Sequence, residues 1–248
     1  MANYKLVIEY DGTNYNGFQI QPNGITVQGL LEEALSRIAK TEVKIIAAGR
    51  TDAGVHAFNQ VVNFNANLTV PVERMAVALN SLLPKDIRVR GCEIVPDSFH
   101  ARYDAVEKTY LYRIRHGQIE SAFEHKYCWW LKRELDWDLI EQAGLLLVGT
   151  HDFAGFAASG SGVKTTVRTI SNYSLTKAVN GGDIRFTADG FLYNMVRNMV
   201  GTLVEIGLGK RPVEDIPRIL CSRDRTQAGV TAPAQGLFLE SIIYPDLT

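Results

Sequence analysis

The sequence has few of the features that would mark a chain as exported, membrane-bound or metal-stapled. Its 248 residues hold three cysteines, Cys92, Cys128 and Cys221. Odd in number, scattered and without C-x-x-C spacing, they argue against a disulfide framework and a zinc site, and are expected as free, mostly buried thiols. The five histidines, His56, His100, His116, His125 and His151, show no metal-ligand spacing, so no metal is implied. No basic-then-apolar leader opens the chain, and no run approaches the ~18 apolar residues of a membrane span. The expectation is a cytoplasmic protein with no membrane partner. An excess of one charge is missing too. The net charge of −1 gives no support to nucleic-acid binding, which then has to rest on local basic surfaces. Candidate clusters are Arg88 with Arg90; Lys108, Arg113 and Arg115; Lys132 with Arg133; Lys210 with Arg211; and Arg223 with Arg225. Any one of these pairs also reads as a solvated strand or helix face.

Phosphate-binding loops are absent as well. Ser159-Gly160-Ser161-Gly162 shares only glycine content with one, because Val163 to Val167 follow it rather than a helix N-terminus; it reads as a mobile loop. Gly207-Leu208-Gly209-Lys210-Arg211-Pro212 lacks P-loop spacing and reads as a helix end with a basic tail.

What is present is an alternation of strand and helix patterns. Lys5 to Tyr10 is β-rich, and Val27, Leu30, Leu31, Ala34, Leu35 and Ile38 recur at helical spacing behind Thr26, a plausible N-cap. Lys44 to Ala48 and Gln60 to Phe64 read as strands, Pro71 opens a helix through Leu83, and Ile87 to Val95 reads as another strand. After a polar stretch, 97–104, come a strand over Thr109 to Arg115 and a helix over Asp138 to Val148. Strands over Thr166 to Thr176 and Ile184 to Ala188 follow, joined across Gly181-Gly182. Helices over Phe191 to Gly207 and Pro212 to Cys221 and a strand over Leu237 to Tyr244 close the chain. The order predicts an α+β fold of two ferredoxin-like, RRM-like βαββαβ halves, 1–104 and 105–248, with mostly antiparallel sheets meeting at a central cleft. The aromatic and basic insertion from Lys126 to Asp138 (Tyr127, Trp129, Trp130, Lys132, Arg133, Trp137) reads either as an RNA contact or as a core edge or dimer contact.

The most pointed stretch is Gly49-Arg50-Thr51-Asp52-Ala53-Gly54-Val55-His56-Ala57. An apolar run, Val43 to Ala48, ends there in an arginine, an aspartate and a glycine turn, and strand ends are where scaffolds place chemistry. Asp-x-Gly after a strand is also a common plain turn, the carboxylate accepting its own loop's amide protons. Spacing alone leaves both readings open.

This string resembles the signature of the TruA family of tRNA pseudouridine synthases, and further motifs follow in the family's order. They are Tyr10-Asp11-Gly12-Thr13 with Tyr15-Asn16-Gly17-Phe18-Gln19; Phe99-His100-Ala101-Arg102-Tyr103; Lys108-Thr109-Tyr110-Leu111-Tyr112; and His151-Asp152-Phe153. Gly190-Phe191-Leu192-Tyr193-Asn194-Met195-Val196-Arg197-Asn198-Met199-Val200-Gly201 and Ala232-Pro233-Ala234-Gln235-Gly236-Leu237-Phe238-Leu239 complete the set. Ala154-Gly155-Phe156 departs from the Ala-Phe of some relatives, which touches substrate contacts more than chemistry.

The resemblance implies conversion of uridine to pseudouridine at positions 38, 39 or 40 of the tRNA anticodon arm, by a homodimer clamping one tRNA. It implies Asp52 as nucleophile, Tyr110 against the uracil and Arg197 paired with the catalytic carboxylate. Arg50, Thr51, Tyr110 and Leu237 are the implied substrate contacts. The isomerisation gains and loses no group and no electrons, so no cofactor is needed. Attack by Asp52 at C1′, addition at C6 and removal of the C2′ proton all stay open, as do the stacking and proton-handling readings of Tyr110. Arg50, two residues before Asp52, is suited to fill the place of a flipped base or hold its phosphate; it also reads as a plain surface charge at a strand end. Two alternatives are a catalytically silent RNA binder on the same scaffold and a synthase of the family acting on other tRNA uridines.

Overall fold

The computed structural model describes residues 1–158, 160 and 163–245, so most of the glycine–serine segment from Ser159 to Gly162 lies outside the described residues. The chain divides into two compact units, Met1–Val106 with the chain from Phe238 on, and Glu107–Leu237. Both are mixed α+β with mostly antiparallel sheets, as the element order predicts. No helix among the described residues is long and apolar enough to cross a membrane.

In the first unit β1 (Ala2–Tyr10) is followed by α1 (Val27–Ala39), β2 (Ile46–Ala47), β3 (His56–Ala66), α2 (Val72–Asn80) and β4 (Ile87–Val95). β1 pairs antiparallel with both β3 and β4, and β2 pairs with β3. Tyr4, Leu6, Ile8 and Tyr10 alternate along β1 and are all buried, the period of two that puts one strand face into a core. Leu31 and Leu35 of α1 and Met75 and Leu79 of α2 are fully buried, each contributing about 1.5–3 kcal/mol by leaving water. A second cluster, Ala48, Val61, Val95, Phe99 and Ala101, packs with Val7, Ile242 and Tyr244. Thr26 caps α1 as expected, its hydroxyl oxygen accepting the Gly29 N–H (3.3 Å).

The second strand is shorter than its sequence suggests. Buried Glu32 of α1 accepts the Ile45 N–H (3.1 Å) and Ser36 accepts the Val43 N–H (3.0 Å), so these donors leave the ladder until Ile46. Likewise α2 ends at Asn80, and only turn bonds carry the chain to Leu83, because Pro84 follows and disfavours helix before it.

The second unit runs β5 (Glu107–His116), β6 (Trp129–Leu131), α3 (Trp137–Leu145), β7 (Gly149–Asp152), β8 (Val167–Ala178), β9 (Gly181–Ala188), α4 (Met195–Gly207) and α5 (Asp215–Ser222). Its strands lie in the order β6-β5-β9-β8-β7. Sequence patterning missed β6 and β7, which are three and four residues long. The β8–β9 turn is Val179–Asn180, not Gly181-Gly182; those glycines are strand residues, paired on one side with Ala178 and Lys177 and on the other with Arg115 and Ile114. Residues 191–194 are not helical: Asn194 is left-handed (φ +58°), and α4 begins only at Met195. β10 (Leu237–Ile243) closes the chain, pairing parallel with β3 through Phe238 opposite His56 and Leu239 opposite Ala57.

The aromatic insertion packs on its own unit. The Trp129 ring lies edge-on to Tyr112 (6.4 Å), and the Trp130 indole N–H donates to the Gly117 carbonyl (3.0 Å). Both tryptophans are half-buried, while Lys132 and Arg133 are exposed, which fits the core-edge reading. Among the cysteines only Cys128 is buried; Cys92 is intermediate and Cys221 exposed, because the last lies on the outer side of α5. Several of the expected basic clusters are occupied in ion pairs. Arg115 meets Asp183 (2.8 Å), Arg211 meets Glu205 (2.5 Å), Arg223 meets Asp152 (3.0 Å) and Arg90 meets Glu9 (3.3 Å).

Candidate active site

In the first unit the Arg-Thr-Asp loop leaves β2 and returns into β3, and it is held from below by the chain's first loop. The Gln60 side-chain amide donates to the Gly49 carbonyl (2.9 Å), fixing the loop's entry. Buried Thr51 shares a hydrogen bond with the Tyr10 hydroxyl (2.8 Å), and its carbonyl accepts the Phe18 N–H (3.0 Å). The Val55 N–H closes the turn on the Asp52 carbonyl (3.1 Å), with Gly54 at φ +78°. His56 is buried beyond it, its Nδ1 accepting the Gly12 N–H (3.0 Å), and its ring stacks on Phe238 (4.7 Å).

The result is an alternating presentation. Arg50 is exposed, Thr51 faces inward and Asp52 is partly buried. Arg50 and Asp52 stand on one backbone stretch fixed on both sides, although regular strand geometry stops at Ala47. Burial pushes the Tyr10 hydroxyl up to about 12, against the lowering effect of its bonds to Thr51 and Gln60. The phenol beneath the loop is neutral at physiological pH and holds Thr51 through its hydroxyl.

In the second unit Tyr110 lies mid-strand on β5, opposite Phe186, buried, with its ring edge-on to Phe191 (5.1 Å). Arg197 is in the first turn of α4. A cation at that end works against the helix dipole by roughly 0.3–1 kcal/mol, so its side chain needs restraint from elsewhere. The Arg197 Nε–H donates to the Ala232 carbonyl (2.7 Å), and Nη1 donates to the Asn194 side-chain oxygen (2.9 Å). Ala232 returns the contact, its N–H donating to the Arg197 carbonyl (3.0 Å). Downstream, the Tyr112 hydroxyl donates to the Pro233 carbonyl (2.7 Å). Burial holds that phenol well above its ordinary range, while the Arg197 charge pulls it down. Leu237 is buried at the start of β10.

Arg50, Thr51 and Asp52 thus share the loop of the first unit, whereas Tyr110, Arg197 and Leu237 lie in the second. Sequence reading named these residues but missed what holds them. Tyr10, Gly12 and Gly17 sit inside a quoted motif without a role, and Asn198 and Arg225 were noted only as a neighbour and a charge.

A family model described as tRNA pseudouridine synthase matches residues 6–104 and 143–245. The chain is 47% identical over 244 residues to tRNA pseudouridine synthase A of Thermoanaerobacter sp. (strain X514), with 98% of this chain and 100% of the relative covered. It is 47% identical over 249 residues to tRNA pseudouridine synthase A of Limosilactobacillus reuteri (strain DSM 20016), covering 98% and 97%. It is 46% identical over 244 residues to tRNA pseudouridine synthase A 2 of Clostridium tetani (strain Massachusetts / E88), covering 98% of each. Likeness of this extent, over nearly the whole chain, defines the class as an RNA-modifying isomerase. The chain belongs to the tRNA pseudouridine synthase family, in its TruA branch, and its reaction is the isomerisation of uridine in tRNA.

Proposed function

We propose that the protein converts uridine to pseudouridine at positions 38, 39 and 40 of the tRNA anticodon arm. Asp52 acts as the nucleophile, Tyr110 as the ring against which the uracil lies, and Arg197 as the cation that keeps the carboxylate ionised. The observation that carries this reading is the loop around Asp52: a partly buried carboxylate on a backbone fixed by Tyr10, Gln60 and Phe18, with exposed Arg50 two residues before it.

The reaction breaks the N1–C1′ bond and forms C5–C1′. N1 gains a proton and C5 loses one, so atoms and electrons balance without a cofactor. An aspartate, with an unperturbed pKa of about 3.9, is ionised at neutral pH if burial is offset by a partner, and a guanidinium stays charged in a dry site. A stacked uridine must leave its helix at a cost of a few kcal/mol, and exposed Arg50 is suited to occupy the vacated place or hold the nucleotide's phosphate. Thr51 and Leu237 complete the contacts. The substrate is read by tRNA shape, by a cytoplasmic homodimer that clamps one tRNA.

The test is to incubate the protein with unmodified tRNA transcripts bearing single uridines at 38, 39 or 40 and map pseudouridine in each. Modification at any of the three supports the assignment; modification confined to uridines outside the anticodon arm overturns it.

A further inference from the structure

Residues Gly229 to Ala232 are bound along α4 at each successive turn. At its first turn Arg197 and Ala232 exchange backbone and side-chain bonds. One turn on, the Gly229 N–H donates to the buried Thr202 hydroxyl (2.9 Å), and a Cβ on Gly201 would stand 1.6 Å from the Val230 carbonyl oxygen, so only glycine admits the strap this close. A turn further, the Val230 N–H donates to Glu205 (3.3 Å).

The strap is locked by a closed ring of three hydrogen bonds. Arg225 Nη2 donates to the Asn198 side-chain oxygen (2.9 Å) and to the Thr231 hydroxyl (3.0 Å), and Thr231 donates to the same Asn198 oxygen (2.7 Å). Asn198 is fully buried, and its amide donates in turn to the Phe156 carbonyl (2.8 Å). Asn198 follows Arg197 on the helix, and Thr231 precedes Ala232 on the strap. The ring therefore sets the separation across which the Arg197 side chain reaches the Ala232 carbonyl. Arg225 is anchored here by neutral oxygens, and burial lowers its guanidinium below its ordinary range. A half-buried cation costs desolvation, so its bridging bonds have to offset that cost.

We propose that Arg225, through Asn198 and Thr231, is a positioning residue that fixes the Arg197 guanidinium for the isomerisation. This rests on the role proposed for Arg197. Loss of the bridge frees the strap, lets the Ala232 carbonyl drift and leaves Arg197 in several rotamers. Chemistry then slows while tRNA affinity holds.

The experiment is a double-mutant cycle on the full chain, with single-turnover pseudouridine formation and tRNA affinity both measured. Arg225→Met should slow the rate about tenfold or more with tRNA affinity within about threefold, and Thr231→Val, at an exposed position, should slow it less. In an Arg197→Lys background both substitutions should cost under about twofold further, because the group they position is already gone. A general structural role would instead lower the rate by the same factor in both backgrounds, and that additivity overturns the inference while leaving the role of Arg197 intact. Wild-type rates for Arg197→Lys alone would overturn both readings. If Arg225→Met fails to fold, judged by its melting transition, Thr231→Val carries the same comparison alone.

Discussion

Gly17, at φ +84°, lies so close beneath Thr51 that a Cβ on it would stand 2.8 Å from the Thr51 carbonyl oxygen and 3.3 Å from the Ala53 nitrogen. That carbonyl also accepts the Phe18 N–H, so the first loop wedges the Arg-Thr-Asp loop by backbone alone. Gly17 is thus a spacer beneath the loop that carries Asp52.

Gly17→Ala should therefore cost twice, once for the left-handed backbone and once for displacing Thr51 and Asp52. A loss of about 1–3 kcal/mol in unfolding free energy is expected, together with a turnover loss larger than the fraction unfolded explains. Urea denaturation alongside a rate assay checks it. Normal activity in a destabilised Gly17→Ala protein would show that the wedge serves folding only.

Much of the first unit was legible in the sequence, since its signals are local. Thr26 with the 3.6-residue stripe of α1 and the unbroken β-rich run of β4 involve neighbours in the chain. The truncated β2 was not legible, because the Ile45 amide is claimed by Glu32, thirteen residues away. The ring of Asn198, Arg225 and Thr231 spans up to 33 residues and leaves no periodic trace, so Arg225 looked like one more surface charge. The Arg-Thr-Asp loop stood out as a composition break after an apolar run, but nothing local told that the phenol of Tyr10 lies under it.

Tyr10 gives the loop a pH signature. Its folded pKa, about 12, exceeds the ordinary tyrosine value of 10.0, so between pH 10 and 12 the unfolded chain releases a proton that the folded one keeps. Stability then falls as pH rises, by roughly 1.4 kcal/mol per pH unit from this group, and its contribution is fully present below pH 10. Tyr10→Phe should lose about 1 kcal/mol at pH 8, where the bond to Thr51 is missing, and should recover against wild type between pH 10 and 12. Urea midpoints of the two proteins across that range decide it; parallel curves would rule out a buried, raised phenol.

Asp52→Asn removes the charge and keeps the shape. Turnover should vanish, while tRNA affinity stays within about tenfold, or 1.4 kcal/mol, because Asn keeps the side chain's shape and the Tyr10 and Gln60 bonds still hold the loop. Tritium release from C5-labelled tRNA is the assay. Turnover by the Asn variant above about a thousandth of wild type would take the nucleophile's role away from Asp52.

Tyr110 separates into two jobs, ring and hydroxyl, that its setting on β5 keeps together. Its ring is braced edge-on by Phe191 and its backbone is paired opposite Phe186, so Tyr110→Phe leaves the ring in place. That variant should bind tRNA normally. If the hydroxyl helps take the C5 proton, the rate should fall by ~10² to 10⁴, the usual loss for a positioned acid–base group. The isotopic sign is sharper. With proton removal made limiting, 5-deuterated uridine should show a larger deuterium effect in Tyr110→Phe than in wild type. A near-normal rate for Tyr110→Phe beside a collapsed Tyr110→Ala would assign the ring to stacking alone and the proton to another group or to water.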